Sequence, residues 1–303
     1  MPSGKLVDLH VHSAYSSDGQ YAPAELVQLA EEKGLAALAL TDHDEVAGLP
    51  EFMAAGESKP VETIPGVELT CDLGERWVHV LGYFIDWEAE AMRRALDELT
   101  EARRRQAVGR LANLRGLGIV VDEEKLAEEA RGQPPVGPII GRVVLHDPAN
   151  DGHPLLAELR RPPKSTAPYF HFDRDLLSHG KPAYFPVRRM SPAEAVDVMR
   201  AAGGVAVFAH PGDRFRLPED EPVFAELAAA GLAGVEVYCS YHNDEQSREF
   251  GALARRLGLV ATAGSDFHGP AVKPHVALGG VTHNPYALVD ELWARRPAEA
   301  VNK

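Results

Sequence analysis

His10 and His12, in the segment Asp8-Leu9-His10-Val11-His12, are two residues apart, so on a β-strand they share a face. The same alternation predicts Val7, Leu9 and Val11 on the other face. Two neutral imidazoles at a strand end make half a site for Zn, Mn or Fe, although His-x-His alone fits two hydrogen-bonded polar residues equally well. The pattern recurs along the chain. His43 follows an apolar run in Thr41-Asp42-His43-Asp44, Glu68 lies near the end of another, and His79 sits in Trp77-Val78-His79-Val80. His210 follows Val205-Ala206-Val207-Phe208-Ala209, Asp266 and His268 occur in Gly264-Ser265-Asp266-Phe267-His268, and Asp18 follows the first run in Ser16-Ser17-Asp18-Gly19. Each position taken singly reads as an ordinary polar residue at a strand end, but so many polar groups would be costly to bury together without an ion. Six imidazoles and three carboxylates are too many ligands for one cation and suit two or three, with carboxylates bridging. Such a cluster lowers the pKa of a bridging water toward neutrality and clamps both oxygens of a displacement. Three divalent ions, three carboxylates and one hydroxide leave a local charge of about +2, which suits a phosphate dianion better than an amide or a neutral ester.

The elements that must bring these residues together are legible as short apolar runs at 6–11, 36–40, 63–69, 78–84, 205–209, 234–238, 259–263 and 277–281. Helical patterns lie between many of them. One follows Pro23 and stops at Gly34, one opens on the capping box Ser191-Pro192-Ala193-Glu194, and one is capped by Asn243 and stopped by Gly258. Alternating β and α segments predict parallel strands with crossover helices, whose C-terminal ends converge on the active site in barrels. The rhythm breaks between residues 87 and 190, where a long charged helical pattern and two proline-rich loops predict a mostly helical insertion. Residues 1–86 and 191–303 are then one α/β domain.

With 303 residues, 45% of them hydrophobic, the chain can bury a sizeable core. Its net charge of −14 argues against an extended nucleic-acid footprint. Two cysteines, no signal-peptide core and no long apolar stretch predict a cytoplasmic protein that does not enter the membrane.

The segments Asp8-Leu9-His10-Val11-His12-Ser13, Thr41-Asp42-His43-Asp44, Gly66-Val67-Glu68, His79, Ala209-His210-Pro211 and Gly264-Ser265-Asp266-Phe267-His268 together resemble the polymerase and histidinol phosphatase (PHP) superfamily. The resemblance implies a distorted (β/α)7 barrel holding three metals, Mn, Fe or Zn. It implies His10, His12, Glu68 and Asp266 on one ion, Glu68, His79 and His210 on a second, and Asp18, His43 and His268 on a third. The chain looks most like the free-standing branch that hydrolyses small phosphate esters, which includes 3′,5′-nucleoside bisphosphate phosphatases, 5′-to-3′ exoribonucleases and a cyclic phosphodiesterase. It departs from the nucleotide-acting members in the insertion. Their Arg-x-His-x-x-Arg element is matched in Gly137-Pro138-Ile139-Ile140-Gly141-Arg142 only at Arg142.

These readings predict metal-dependent hydrolysis of a small phosphorylated substrate by a metal-bridging hydroxide. Arg142 and His242 are the leading substrate contacts, followed by Lys181, Arg188 and Arg214, and Asp42 orients a ligand histidine or moves a proton. Amide or lactone hydrolysis and a non-catalytic metal-stabilised binding module are the competing functions.

Overall fold

In the computed structural model, which describes residues 5–298, the chain divides into two compact units. One runs up to Leu96 and resumes at Met190, and the other is Asp97–Arg189. The division falls inside the helix Glu90–Gly116, later than the loss of strand rhythm at 87 suggests, because this helix runs unbroken across it.

The first unit holds seven strands: β1 (Leu6–Val11), β2 (Leu35–Leu40), β3 (Glu62–Leu73), β4 (Arg76–Tyr83), β5 (Val205–Phe208), β6 (Gly234–Cys239) and β7 (Val260–Gly264). They form one sheet in chain order. Its two edges meet where Val11 bridges Phe267 and Asp266 N donates to His10 O at 2.8 Å, which nearly closes a barrel. A buried carboxylate latches this seam. Asp8 accepts Ser265 N at 2.8 Å, Ser265 Oγ at 2.6 Å and Gly279 N at 2.7 Å. Gly264 is required there because a Cβ on it would stand 2.3 Å from His10 Cβ and 2.7 Å from His10 N.

Two sequence expectations are corrected. The strands are not all parallel, since β4 runs antiparallel to both β3 and β5. Only Gly74 and Glu75 separate β3 from β4, too short a link for a crossover helix, and Gly74 takes φ +62° to make the turn. The run at 277–281 is irregular rather than a strand. Gly279 there takes φ +71°, and its N–H is spent on Asp8.

The interior is apolar below the site. Val7, Leu9, Ala37, Ala39, Ile64, Leu81, Tyr83 and Val207 form one buried cluster. Outside, the helix Pro23–Glu32 ends before Gly34 at φ +70°. The helix Pro192–Ala201 carries the expected Ser191–Glu194 capping box, and Asp244–Leu257 runs from an Asn243 cap to a left-handed Gly258. The second unit has its own core, including Ile119, Leu126, Ile140, Val144, Phe172 and Leu177. Among the described residues no helix is long and apolar enough to cross a membrane.

The close approach at the barrel seam predicts that Gly264→Ala lowers stability by about 1–3 kcal/mol, because the atoms it meets are the backbone N and the Cβ of His10. Urea denaturation followed by circular dichroism reads this; an unshifted midpoint would contradict the packing account.

Candidate metal centre

Strict alternation does not explain how His10 enters the barrel. Val7 and Leu9 belong to the interior cluster, so His10 would be expected to point outward. Asp8 pairs with Leu38 but Val11 with Leu40, so β1 carries an extra residue over this stretch. The bulge turns His10 and His12 onto the interior face, beside rather than opposite Leu9; bulges commonly re-aim side chains in this way next to active sites. Glu68 shares the face of Ile64, four residues earlier on β3, and His79 shares the face of Leu81. Because β4 is antiparallel to β3 and β5, its early residues lie at their late ends, so a mid-strand histidine joins groups from strand ends.

All nine histidines and carboxylates expected at the cluster fall into four overlapping groups whose ligand atoms lie within 4.8 Å of one another. Glu68 is central. Its Oε1 lies 2.8 Å from His79 Nδ1 and 3.1 Å from His210 Nε2. Its Oε2 lies 2.9 Å from His43 Nδ1 and 3.3 Å from both His10 Nε2 and His12 Nε2. Asp266 Oδ1 is 3.1 Å from His12 Nε2 and 3.5 Å from His10 Nε2. Asp18 Oδ2 faces His268 Nε2 at 3.5 Å and His43 Nε2 at 3.8 Å. Backbone strain collects here, with His210 at φ +24° and Asp266 at φ +57°.

The arrangement fits cations. His10 Nε2 and His12 Nε2 are 3.1 Å apart. His10 Nδ1 faces Glu236 Oε1 at 3.1 Å, and a carboxylate only accepts, so Nδ1 carries a proton and in the neutral ring Nε2 is a lone pair aimed at His12. Glu68 Oε2 and Asp266 Oδ1 are buried and, among the described residues, receive no hydrogen bond. Buried acceptors and imidazole lone pairs converging on one space are what divalent ions satisfy. The proton affinities carry the same frustration. Burial opposes charging of His10, yet Glu68, Glu236 and Asp266 outweigh it and hold its pKa well above the usual value. Burial, with His268 and His43 alongside, pushes His12 down to about 3. Burial also opposes charging of His43, but Glu68 and Asp18 lift it to about 9.

Glu236, on β6, has no polar motif around it to mark it in the sequence. It is fully buried. Besides orienting His10, its Oε2 accepts the backbone N–H of His210 at 2.8 Å, so one carboxylate holds a histidine of β1 and another just beyond β5. An imidazole backed by a carboxylate is a recurrent way to fix the tautomer and orientation of a metal ligand.

The other expected site residues have different surroundings. Asp42 accepts Ser13 N and Ser13 Oγ, both at 2.6 Å. It therefore anchors the loop after β1 rather than orienting a ligand histidine, and burial raises its pKa to about 6 against those bonds. His242 is not available as a substrate contact. Its Nδ1 donates to Val237 O at 2.7 Å and its Nε2 accepts Gly212 N at 2.8 Å, so both ring nitrogens serve the backbone. Arg214 stacks 3.7 Å over the Trp77 ring, which lies 5.0 Å from the His79 ring. Arg142, Lys181 and Arg188 belong to the second unit, where Arg142 pairs with Glu129 and the other two are exposed.

Residues 8–132 match the PHP domain. The chain is 33% identical over 269 residues to a 3′,5′-nucleoside bisphosphate phosphatase from Chromobacterium violaceum, covering 87% of each. It is 30% identical over 272 residues to a phosphoribosyl 1,2-cyclic phosphate 1,2-diphosphodiesterase from Eggerthella lenta, covering 89% of this chain and 97% of that one. A crystal structure from Bifidobacterium adolescentis, of a protein proposed to be a metal-dependent phosphoesterase, aligns with a TM-score of 0.78 at 25% identity over 100% of both chains.

Glu236→Gln keeps an acceptor for His10 but sets an amide against the His210 N–H. It is expected to weaken Mn²⁺ affinity by about 10- to 100-fold, measured by titration of metal-free protein. Unaltered affinity would mean that His10 and His210 are oriented without it.

Proposed function

The chain belongs to the PHP domain family, and from this we infer that it is a metal-dependent phosphoester hydrolase acting on a small organic phosphate. The observation that carries the reading is the convergence of six imidazoles and three carboxylates within the barrel, a ligand set suited to more than one ion. The reading places His10, His12, Glu68 and Asp266 around one ion, Glu68, His79 and His210 around a second, and Asp18, His43 and His268 around a third. The contacts of Glu68 Oε1 and Oε2 support a bridging role for that carboxylate. Manganese, iron and zinc all suit such mixed nitrogen and oxygen donors.

When bound, the ions supply Lewis acidity and an oxygen nucleophile at neutral pH. The protein's own residues do the rest. Glu236 fixes the His10 tautomer, Asp8 latches the segment after β7 that bears Asp266, and Asp42 holds the loop that bears Asp18. Carboxylates numbering fewer than the cationic charges leave the site attractive to a phosphate dianion, within a chain whose net charge is −14. That overall charge, and the relatives named for a nucleoside bisphosphate and a cyclic phosphate, favour a small ester over an RNA end. Cys71 and Cys239 are buried and neither forms a disulfide, which supports a reducing, cytoplasmic setting.

Protein loaded with Mn²⁺ is expected to release orthophosphate from a panel of phosphate esters that includes a nucleoside 3′,5′-bisphosphate, and to leave amides and lactones intact. His43→Ala and Asp266→Ala should each lower kcat/KM by more than about 10²-fold with the circular dichroism spectrum unchanged. Full turnover after chelation, with metal loss verified by elemental analysis, would refute the mechanism. Hydrolysis confined to amides or lactones would move the chain to a different reaction class.

A further inference from the structure

We propose that Lys273, steadied by Tyr241, is the barrel's own anion-binding arm and contacts a non-bridging oxygen of the substrate phosphate. The inference rests on the phosphoesterase reading above and deepens it by naming a substrate contact outside the cation ligands.

Lys273 lies beyond β7, in a segment with no motif of its own, yet the chain holds it firmly at the centre. Gly269, at φ +97°, starts a turn in which Val272 N and Lys273 N donate to Gly269 O at 3.1 and 2.9 Å. The turn is tied down where Ala271 N donates to Gln20 Oε1 at 3.0 Å and Gln20 N donates to His268 O at 3.0 Å. From this base the ammonium donates to Asp266 Oδ2 at 2.5 Å, to Tyr241 Oη at 2.9 Å and, over a long 3.4 Å, to Asp266 O, the contact a phosphate oxygen would replace. It also lies 5.2 Å from the Tyr241 ring centre, and that ring is 5.0 Å from the ring of His210. Tyr241 therefore touches both Lys273 and the ligand group. The Lys273 side chain remains 24% exposed, so the residue is not sealed from solvent.

The geometry divides Asp266 in two. Oδ1 faces His10, His12 and His268 at 3.1–3.5 Å, whereas Oδ2 faces the ammonium. An ammonium one carboxylate away from a cation cluster repels the cations, so it does not help to load the site. It does help to hold an anion that arrives once the cations are present, because a charge-assisted N–H···O⁻ bond is among the stronger polar contacts. The insertion matches only at Arg142 the cationic element that the family resemblance implies, and Arg142 pairs with Glu129. Lys273 supplies a cation from the barrel itself.

The sign of the effect on metal separates this role from simple support of Asp266. In Mn²⁺-loaded protein, Lys273→Gln is expected to weaken orthophosphate binding by about 10- to 100-fold in calorimetric titration. It should raise KM for a phosphate ester more than it lowers kcat, and leave Mn²⁺ affinity unchanged or tighter. Lys273→Arg should recover much of the orthophosphate affinity, and Tyr241→Phe should weaken it by a smaller factor than Lys273→Gln. Undiminished orthophosphate affinity in Lys273→Gln overturns the assignment, as does loss of Mn²⁺ from that variant, which would make Lys273 a prop for Asp266. The binding measurement judges Lys273 whatever the wild type hydrolyses; absence of phosphate-ester turnover in the wild type counts against the function proposed above.

Discussion

Imidazole nitrogens do not settle 3.1 Å apart unless something between them is shared, and this one requirement organises the first unit. Without cations the rings trade protons unequally, with one held charged and its neighbour held neutral by the same surroundings. With cations every lone pair has a destination. The rest of the barrel is a frame that withstands this mutual repulsion. Small residues such as Ala37 and Ala39 and branched ones such as Val7 and Ile64 fill the interior. Two buried carboxylates, Asp8 and Glu236, bind elements distant in the chain.

Much of this was legible in the sequence because metal ligands must be particular residue types and must sit near strand termini. The nine ligand candidates could be named from position alone, and so could the helix caps at Ser191 and Asn243, whose side-chain chemistry is local. The errors share a cause. The orientation of β4 depends on a two-residue turn with a left-handed glycine, which looks in sequence like a polar interruption. The facing of His10 depends on a bulge, which shifts alternation by one residue and leaves no compositional trace. Glu236 is a lone acid in the apolar run Gly234-Val235-Glu236-Val237, and no rule of spacing links it to His10, far away in the chain. His242 looked like a substrate contact because it follows a strand, but what it contacts is set by tertiary packing.

The site is also asymmetric. On one side, imidazoles and carboxylates look inward at one another. At its border, Lys273 and Tyr241 lie against Asp266 Oδ2 and the His210 ring, and Arg214 stacks over Trp77 beside His79. Cations of the protein therefore border the ligand set instead of mixing with it. A polar centre that must accept positive ions first and a negative ester second is served by that order of layers.

The seam latched by Asp8 has a consequence for how the protein comes into being. His10 and His12 leave the ribosome well before Asp266, His268 and the Ser265 that Asp8 grips. Until those residues emerge, the early histidines lack their partners beyond β7, and the ligand set is incomplete. Completion of the ligand set is thus tied to arrival of β7 and the segment that follows it.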